Sequence, residues 1–282
     1  MIAGNLGILH PGEMGVTVAQ AAQKSGLQVY WASEGRSPET RARAAQIKLI
    51  DAGSAADLCT ACSTLICVCP PSSAFDIAKH VAALGFRGLY IDANAISPGH
   101  SQHIDMILQE AGISYVDGSL IGPPAWKPNT TRLYLSGKLA GEAASCFAGG
   151  PLTVKVLGES IGQASALKMC YAAYTKGTSA LFCAILAASE ALNVHQELMS
   201  EWSRSGSKLA EEATSSVGWV PTKAWRFEGE MEQIAATFNS VGLPDGFQLA
   251  AAEIYSRLAI YKDLPQPELD QVISSLLEEK LE

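Results

Sequence analysis

No run of about 18 apolar residues free of polar breaks occurs in the chain, so a membrane-crossing helix is not expected. A basic surplus is missing as well. Lys and Arg number 20 against 28 Asp and Glu, a net charge of −8. A general nucleic-acid binder needs a basic surface to neutralise phosphates, and that class is excluded. The N-terminus has no basic segment leading into a small-residue cleavage site, so no secretory signal is read. Cysteine is sparse and odd in number, at seven. Most cysteines sit in apolar runs such as TLICVC and ALFCAIL, where Cys behaves as a small buried hydrophobe. A reducing cytoplasm is the expected compartment. Cys59-Thr-Ala-Cys62 is a C-x-x-C pair without a second pair at zinc spacing, and no metal is expected. Internal repeats and low-complexity tracts are lacking too.

What is present is an alternation. Hydrophobic residues make up 48% of 282, enough to bury a substantial core. Strand-length apolar runs occur at NLGILH, LQVYWA, STLICVCP, GLYIDA and ISYVDGS. Between them lie the helical-period segments EMGVTVAQAAQKSG, SPETRARAAQ, SSAFDIAKHVAAL and PGHSQHIDMILQEAG. Gly26 and Gly112 stand where helices end. The alternation predicts a parallel sheet with helices on both faces, and a ligand beyond the carboxyl ends of its strands. From about Ser160 to Asn193 runs a proline-free, Ala/Leu-rich stretch too apolar to stand in water. Helical segments HQELMSEWSRSGSKLAEEATS, FEGEMEQIAATFNSVG and DGFQLAAAEIYSRLAIYK follow, with a charged tail. The expected organisation is α/β: a Rossmann-type dinucleotide-binding domain over 1–158, then an all-α domain over 159–282 for substrate and dimerisation, joined by a long helix.

The stretch GILHPGEMG follows the first strand and opens the first helix. A dinucleotide turn reads G-x-G-x-x-G: the first glycine permits the turn, the second admits the pyrophosphate, the third lets helix and strand pack closely. Here His10 stands in the first place, while Gly12 and Gly15 keep the other two. Gly12, Glu13, Met14 and Gly15 are therefore candidate cofactor contacts, through amides at a helix N-terminus. His10 reads as a turn residue. At the end of the second strand, Ser33, Arg36 and Ser37 supply hydroxyls and a guanidinium suited to a 2′-phosphate, so NADP is favoured over NAD. Glu34 opposes that choice. Arg41 and Arg43 read as a solvated helix face.

Taken together, GILHPGEMG, WASEGRS, VCPPSS, DANAISP and GQASALKMCYAAYTKG resemble the β-hydroxyacid dehydrogenase superfamily, which includes 6-phosphogluconate and 3-hydroxyisobutyrate dehydrogenases. KAWRFEGEMEQIAATF resembles a branch with a 6-phosphogluconate-dehydrogenase-like C-terminal domain. The resemblance spans nearly the whole chain. It implies a catalytic lysine within G-x-G-x-x-x-K-x-x-N, and Lys168 falls on that lysine, with Tyr171 in place of the asparagine. A lysine in an Ala/Leu helix, with Ala164 and Ala172 a turn to either side, is a suitable general acid/base once desolvated. Lys176 reads as structural or interfacial. The resemblance also implies a cofactor loop at Pro70, a polar contact at Asn94, and a substrate segment over Asp117–Pro123, giving Ser119 and Gly122 as substrate contacts beside Tyr171. Ile121 replaces the serine expected to bind a carboxylate. A second family lysine aligns near Glu230-Met231 and is absent. Trp219, Trp225 and Phe227 read as core or dimer-seam residues.

The expected activity is an NADP-dependent oxidoreductase acting on a small hydroxy acid or a related alcohol or ketone, with Lys168 as general acid/base. Two alternatives stand beside it: reduction of a C=N bond, and a dinucleotide-binding sensor or scaffold without turnover. A homodimer through the C-terminal helices is expected.

Overall fold

The computed structural model describes residues 4–278. It divides into two compact units, Met1–Met169 and Cys170–Glu282. The expected boundary at 158/159 lies before the long helix. The observed division falls inside that helix, because its first turns are tied to the sheet.

The first unit is built on eight strands: β1 (Leu6–Ile8), β2 (Val29–Trp31), β3 (Ile50–Asp51), β4 (Thr64–Cys67), β5 (Leu89–Asp92), β6 (Ser114–Ile121), β7 (Arg132–Ser136) and β8 (Thr153–Gly158). They lie in the order β3-β2-β1-β4-β5-β6-β7-β8. Strands β1 to β6 pair in parallel, with Ile8 beside Ile66 and Cys67 beside Asp92. The expected all-parallel sheet needs one correction, since β6 and β7 are antiparallel. The chain reverses between them over 122–131, where Gly122 has φ +130° and its pro-side-chain position meets the Thr130 carbonyl. The segments that became β3, β7 and β8 carry weak strand patterns. β3 is two exposed residues, and the partly exposed edge strand β8 mixes Lys155 into its apolar run.

Helices α1 (Glu13–Lys24), α2 (Pro38–Gln46), α3 (Ala55–Ala61), α4 (Pro71–Ala83), α5 (Pro98–Glu110) and α6 (Ala140–Ser145) connect the strands. Side chains alternate across each strand. Leu6, Ile8, Ile66 and Ile91 therefore join one core layer with Val18 and Ala22 of α1. Leu65, Cys67, Tyr90 and Tyr115 join the opposite layer with Ala78 of α4 and Ile104 of α5. Strand β1 is followed by β2 on one side and flanked by β4 on the other. The crevice beyond the carboxyl ends of β1 and β4 is thus the switch point at which such sheets bind ligands. Gly26 and Gly112 adopt φ of +90° and +73° just past α1 and α5, the left-handed cap that glycine tolerates.

Helix α7 (Gln163–Ala191) begins in this unit. Its N-terminus is buried, and a helix start leaves amides that need acceptors. Asp117 of β6 meets that need: it accepts from the amides of Gly162, Ala164 and Ser165 at 2.9–3.1 Å, and from the hydroxyls of Ser165 and Ser136 at 2.6 and 2.8 Å.

The second unit holds the rest of α7 with α8 (His195–Trp202), α9 (Leu209–Trp219), α10 (Ala224–Ser240), α11 (Gly246–Leu258) and α12 (Leu269–Leu277). The segment over 195–215 was expected as one helix. Gly206, at φ +73°, breaks it into α8 and α9. The expected charged tail also differs, since α12 buries Val272, Ile273 and Leu276 along one face; the tail's last four residues lie outside the described residues. Phe227 and Tyr255 meet edge to face at 5.3 Å in the core, and the Tyr255 hydroxyl donates to the Lys176 carbonyl at 2.6 Å. Phe227 is core as expected, whereas Trp219 and Trp225 are partly exposed beneath the ammonium groups of Lys223 and Lys262. Among the described residues, no helix is long and apolar enough to cross a membrane.

Candidate functional site

The first component is the turn after β1. Gly12 is the N-cap residue of α1, in an extended conformation, and no side chain caps the helix. Space is open where a Gly12 side chain would stand: no atom lies within 4 Å of it. Gly15 is the opposite case, since a Cβ there would collide with the His10 carbonyl. Gly12 thus leaves room above the helix start, and Gly15 brings helix and turn together. Glu13 is exposed, and Met14 packs on the core below. What this first turn offers an anion is its amides, not its side chains.

The second component is a set of arginines. Arg36 donates to the Leu9 carbonyl at 3.0 Å, Arg41 to the Ser33 carbonyl at 2.7 Å, and Arg43 to the Pro11 carbonyl at 3.4 Å. Arg41 and Arg43 were expected on a solvated face. Arg41 is exposed as expected and Arg43 partly buried, and both side chains reach back to carbonyls at the ends of β1 and β2. Burial lowers the Arg36 guanidinium from its ordinary range. Ser33 is buried, and its hydroxyl is bonded to Asp51. Burial would raise the Asp51 carboxyl, but the bonds from Ser33 and Gly53 and the charge of Arg41 hold it below the usual range. Ser37 caps α2, accepting from the Thr40 amide at 3.3 Å. Of the three expected 2′-phosphate contacts, only Arg36 has a side chain whose charge is not already committed to a local cap or carboxylate.

The third component lies at the ends of β4 and β5. Asn94 is buried, accepting from the Cys69 amide at 2.6 Å and donating to the Cys67 sulfur at 3.5 Å. It was expected to contact a ligand, and it braces the loop after β4 instead. The two sulfurs of Cys67 and Cys69 are 3.6 Å apart, and the His10 ring stands near enough to Cys67 to act on its charge. A hydrogen bond from Cys69, helped by His10 and Asn94 against burial, holds the Cys67 thiol well below its usual range. The bond to Cys67 and then burial push Cys69 far up. Pro70 is exposed and starts α4. Asp92 is fully buried, and burial followed by the charge of Cys67 raises its carboxyl well above the usual range. The expectation that TLICVC holds only inert thiols missed this cluster. Its legible signal was a C-x-C ending a strand at the switch point.

The fourth component is Lys168. Its amine donates to the Leu120 carbonyl at 2.9 Å, near the carboxyl end of β6. Because β1 and β4 to β6 run in parallel, this is the sheet edge that also carries the Gly12 turn. Ser119, expected as a substrate contact, is fully buried, and its hydroxyl donates to the Ala164 carbonyl at 2.7 Å. It anchors α7, as Asp117 does. Gly122 opens the reversal after β6. Tyr171 is 47% exposed on α7. The remaining motif, Cys59 with Cys62, is buried, and burial pushes the Cys62 thiol up to about 12.

Residues 189–258 match a domain of unknown function, DUF1932. An uncharacterised 28.5 kDa protein of Methanothermus fervidus is 28% identical over 194 residues, which are 69% of this chain and 74% of that protein. Among solved structures, a conserved protein of unknown function, noted for its similarity with 3-hydroxyacid dehydrogenases, superposes with a TM-score of 0.65 at 26% identity, over 91% of this chain and 98% of its own. The 3-hydroxyisobutyrate dehydrogenase of Mycobacterium tuberculosis, with L-serine, superposes with a TM-score of 0.70 at 16% identity, over 98% and 99%. The glycine turn at the switch point, the helix-borne lysine at the same sheet edge and the helical second unit are thus arranged on the fold of the 3-hydroxyacid dehydrogenase-like proteins, with a DUF1932 domain in the helical half.

Proposed function

We propose that this protein is an NADP-dependent oxidoreductase that interconverts a small hydroxy acid, or a related alcohol, with its ketone. The observation that carries the reading is the Lys168 amine at 2.9 Å from the Leu120 carbonyl, on the sheet edge that bears the Gly12 turn. The residues fit a dinucleotide: Gly12 leaves open space, α1 has no side-chain cap, and three guanidiniums stand around the turn on neutral carbonyls. The amides of Glu13, Met14 and Gly15 would hold the pyrophosphate. Arg36 would take the 2′-phosphate, with Arg41 and Arg43 adding charge beside it. A bound nicotinamide would supply the hydride chemistry. Lys168 does the proton work: its neutral amine takes the hydroxyl proton in oxidation, and its ammonium returns one to the carbonyl oxygen in reduction. The bond to Leu120 fixes one N–H and so aims the rest of the group.

The substrate class follows the fold, whose Mycobacterium tuberculosis member was solved with L-serine, a β-hydroxy acid. Retention of Lys168 favours the C–OH reading over C=N reduction. The helical unit also supports a homodimer. Gly177, Leu181, Ala184, Phe247 and Ile254 line an apolar cleft of about 530 Å³ that a second copy would cover. The test is Lys168→Ala. Turnover over a panel of hydroxy acids should fall by about 10²–10⁴-fold, with NADPH affinity kept. Unchanged turnover rejects the lysine's role. NADPH binding without turnover in the unaltered protein favours the sensor or scaffold.

A further inference from the structure

We propose that Cys67 and Cys69 form a reversible disulfide that weakens dinucleotide binding at the neighbouring turn. The couple rests on geometry at one point of the sheet. Cys67 is the last residue of β4, at the switch point, and Cys69 follows on the loop to α4. Their sulfurs face each other at 3.6 Å. A disulfide needs about 2.0 Å, so the two must approach by roughly 1.6 Å. The loop that has to give is short and half-exposed. Its hydrogen bonds hold the sulfurs ready. Asn94 anchors the Cys69 amide and touches the Cys67 sulfur, and the Cys69 thiol otherwise donates to the Pro70 carbonyl at 3.3 Å.

The chemistry needs a thiolate and a resolving thiol. The two sulfurs, 3.6 Å apart, share one proton between them, and Asn94 donates to the Cys67 side, which favours charge there. With a hydroperoxide as oxidant, the Cys67 thiolate attacks one peroxide oxygen. The O–O bond breaks, an S–O bond forms, and the departing oxygen leaves as hydroxide or alkoxide, protonated from Cys69. The Cys69 thiolate then attacks the Cys67 sulfur. The S–S bond forms, the S–O bond breaks, and hydroxide leaves to become water. Two thiols are oxidised and one peroxide is reduced. Cys59 and Cys62 form the internal contrast. Their C-x-x-C spacing is the familiar redox pattern, yet burial pushes both thiols up and disfavours the attacking thiolate.

The link to binding runs through His10, which opens the glycine turn and lies against Cys67. Bond formation removes the Cys67 charge, breaks its contact with Asn94 and draws the sulfur toward Cys69. The turn's first residue, His10, then faces a neutral, displaced sulfur in place of a charged one. This part of the proposal rests on the dinucleotide reading above; the disulfide itself does not.

The experiment treats the full-length protein with hydrogen peroxide, blocks free thiols, and assigns bridges by tandem mass spectrometry. NADPH affinity is measured by fluorescence before and after. A Cys67–Cys69 bridge is expected, with affinity about tenfold weaker, both reversed by dithiothreitol. Cys69→Ser should show equal NADPH affinity with and without peroxide, and Cys62→Ser should respond like the unaltered protein. A Cys59–Cys62 bridge in its place, no bridge, or over-oxidation of Cys67 overturns the couple. A Cys67–Cys69 bridge with unchanged affinity overturns the gating. Failure of the reduced protein to bind NADPH overturns the cofactor reading instead, and the couple is then judged on the bridge map alone.

Discussion

Cations in the two units are held in different ways. In the sheet unit several rest on main-chain carbonyls: Lys168 on Leu120, Arg36 on Leu9, Arg41 on Ser33 with its charge also acting on Asp51, Arg43 on Pro11. In the helical unit they rest mainly on carboxylates and rings. Lys176 pairs with Glu230 at 2.5 Å and lies over the Phe227 ring, Arg257 pairs with Glu253, and Lys262 lies over Trp225. A carbonyl orients a cation without cancelling its charge, whereas a carboxylate cancels it. In the helical unit positive charge serves cohesion, whereas in the sheet unit Arg36, Arg41 and Arg43 are oriented by main-chain carbonyls around the glycine turn. Helix α7 carries one lysine of each kind.

The largest expected effect separates those two lysines. Lys168→Ala should cost about 10²–10⁴-fold in kcat/KM, roughly 3–5 kcal/mol of transition-state stabilisation, with little change in Tm. Lys176→Ala should do the reverse. It removes the cation beside a largely buried carboxylate, so stability should fall by about 3–5 kcal/mol, read by denaturant unfolding. If Lys176→Ala unfolds at the same denaturant concentration as the unaltered protein, the contrast between the units fails. Next in size is Arg36→Ala, which should weaken NADPH by about tenfold, near 1.4 kcal/mol, while leaving NADH almost untouched. Equal losses for both cofactors would remove the 2′-phosphate role.

The smallest effect concerns Asp92, a carboxyl in the sheet unit without a cation beside it. Burial raises its folded value above the unfolded one. Its contribution to stability is complete below the unfolded value, about 3.9, and is lost as pH rises through the folded value. Asp92→Asn should therefore gain on the unaltered protein between pH 4 and pH 8, with Tm higher by on the order of 3 °C at the upper end. A gap that stays constant with pH would deny the buried, raised carboxyl.

Much of the fold was legible because strand and helix periods differ so plainly in the first half. GLYIDA and STLICVCP became central strands, and the Ser160–Asn193 stretch became α7 over Gln163–Ala191. The edge strand β8 escaped notice because, largely in solvent, it has little apolar pattern to show; β7 does alternate, with Leu133 and Leu135 buried, but is only five residues long. The site was legible only in part. The placement of Gly12 and Gly15 in the turn after β1, and of Lys168 near the end of β6, was legible. The internal bonds of Ser119 and Asn94 were not, since a polar side chain at a strand end can as readily be spent on a buried amide or carbonyl, and spacing does not reveal which. The carbonyl contacts of Arg41 and Arg43 were hidden for a related reason: their acceptors are main-chain atoms 8 and 32 residues away.

Asp117 collects five donors at the start of α7. With Ser119 on the Ala164 carbonyl, that carboxylate fixes the start of α7 to β6, so the lysine is carried by the sheet unit although its helix runs on into the other. Loss of Asp117 would leave the buried amides of Gly162, Ala164 and Ser165 without their carboxylate acceptor and loosen the turn that carries the amine. Conservation in relatives of this chain should accordingly track Asp117 together with Lys168, rather than Lys168 with the helices that follow.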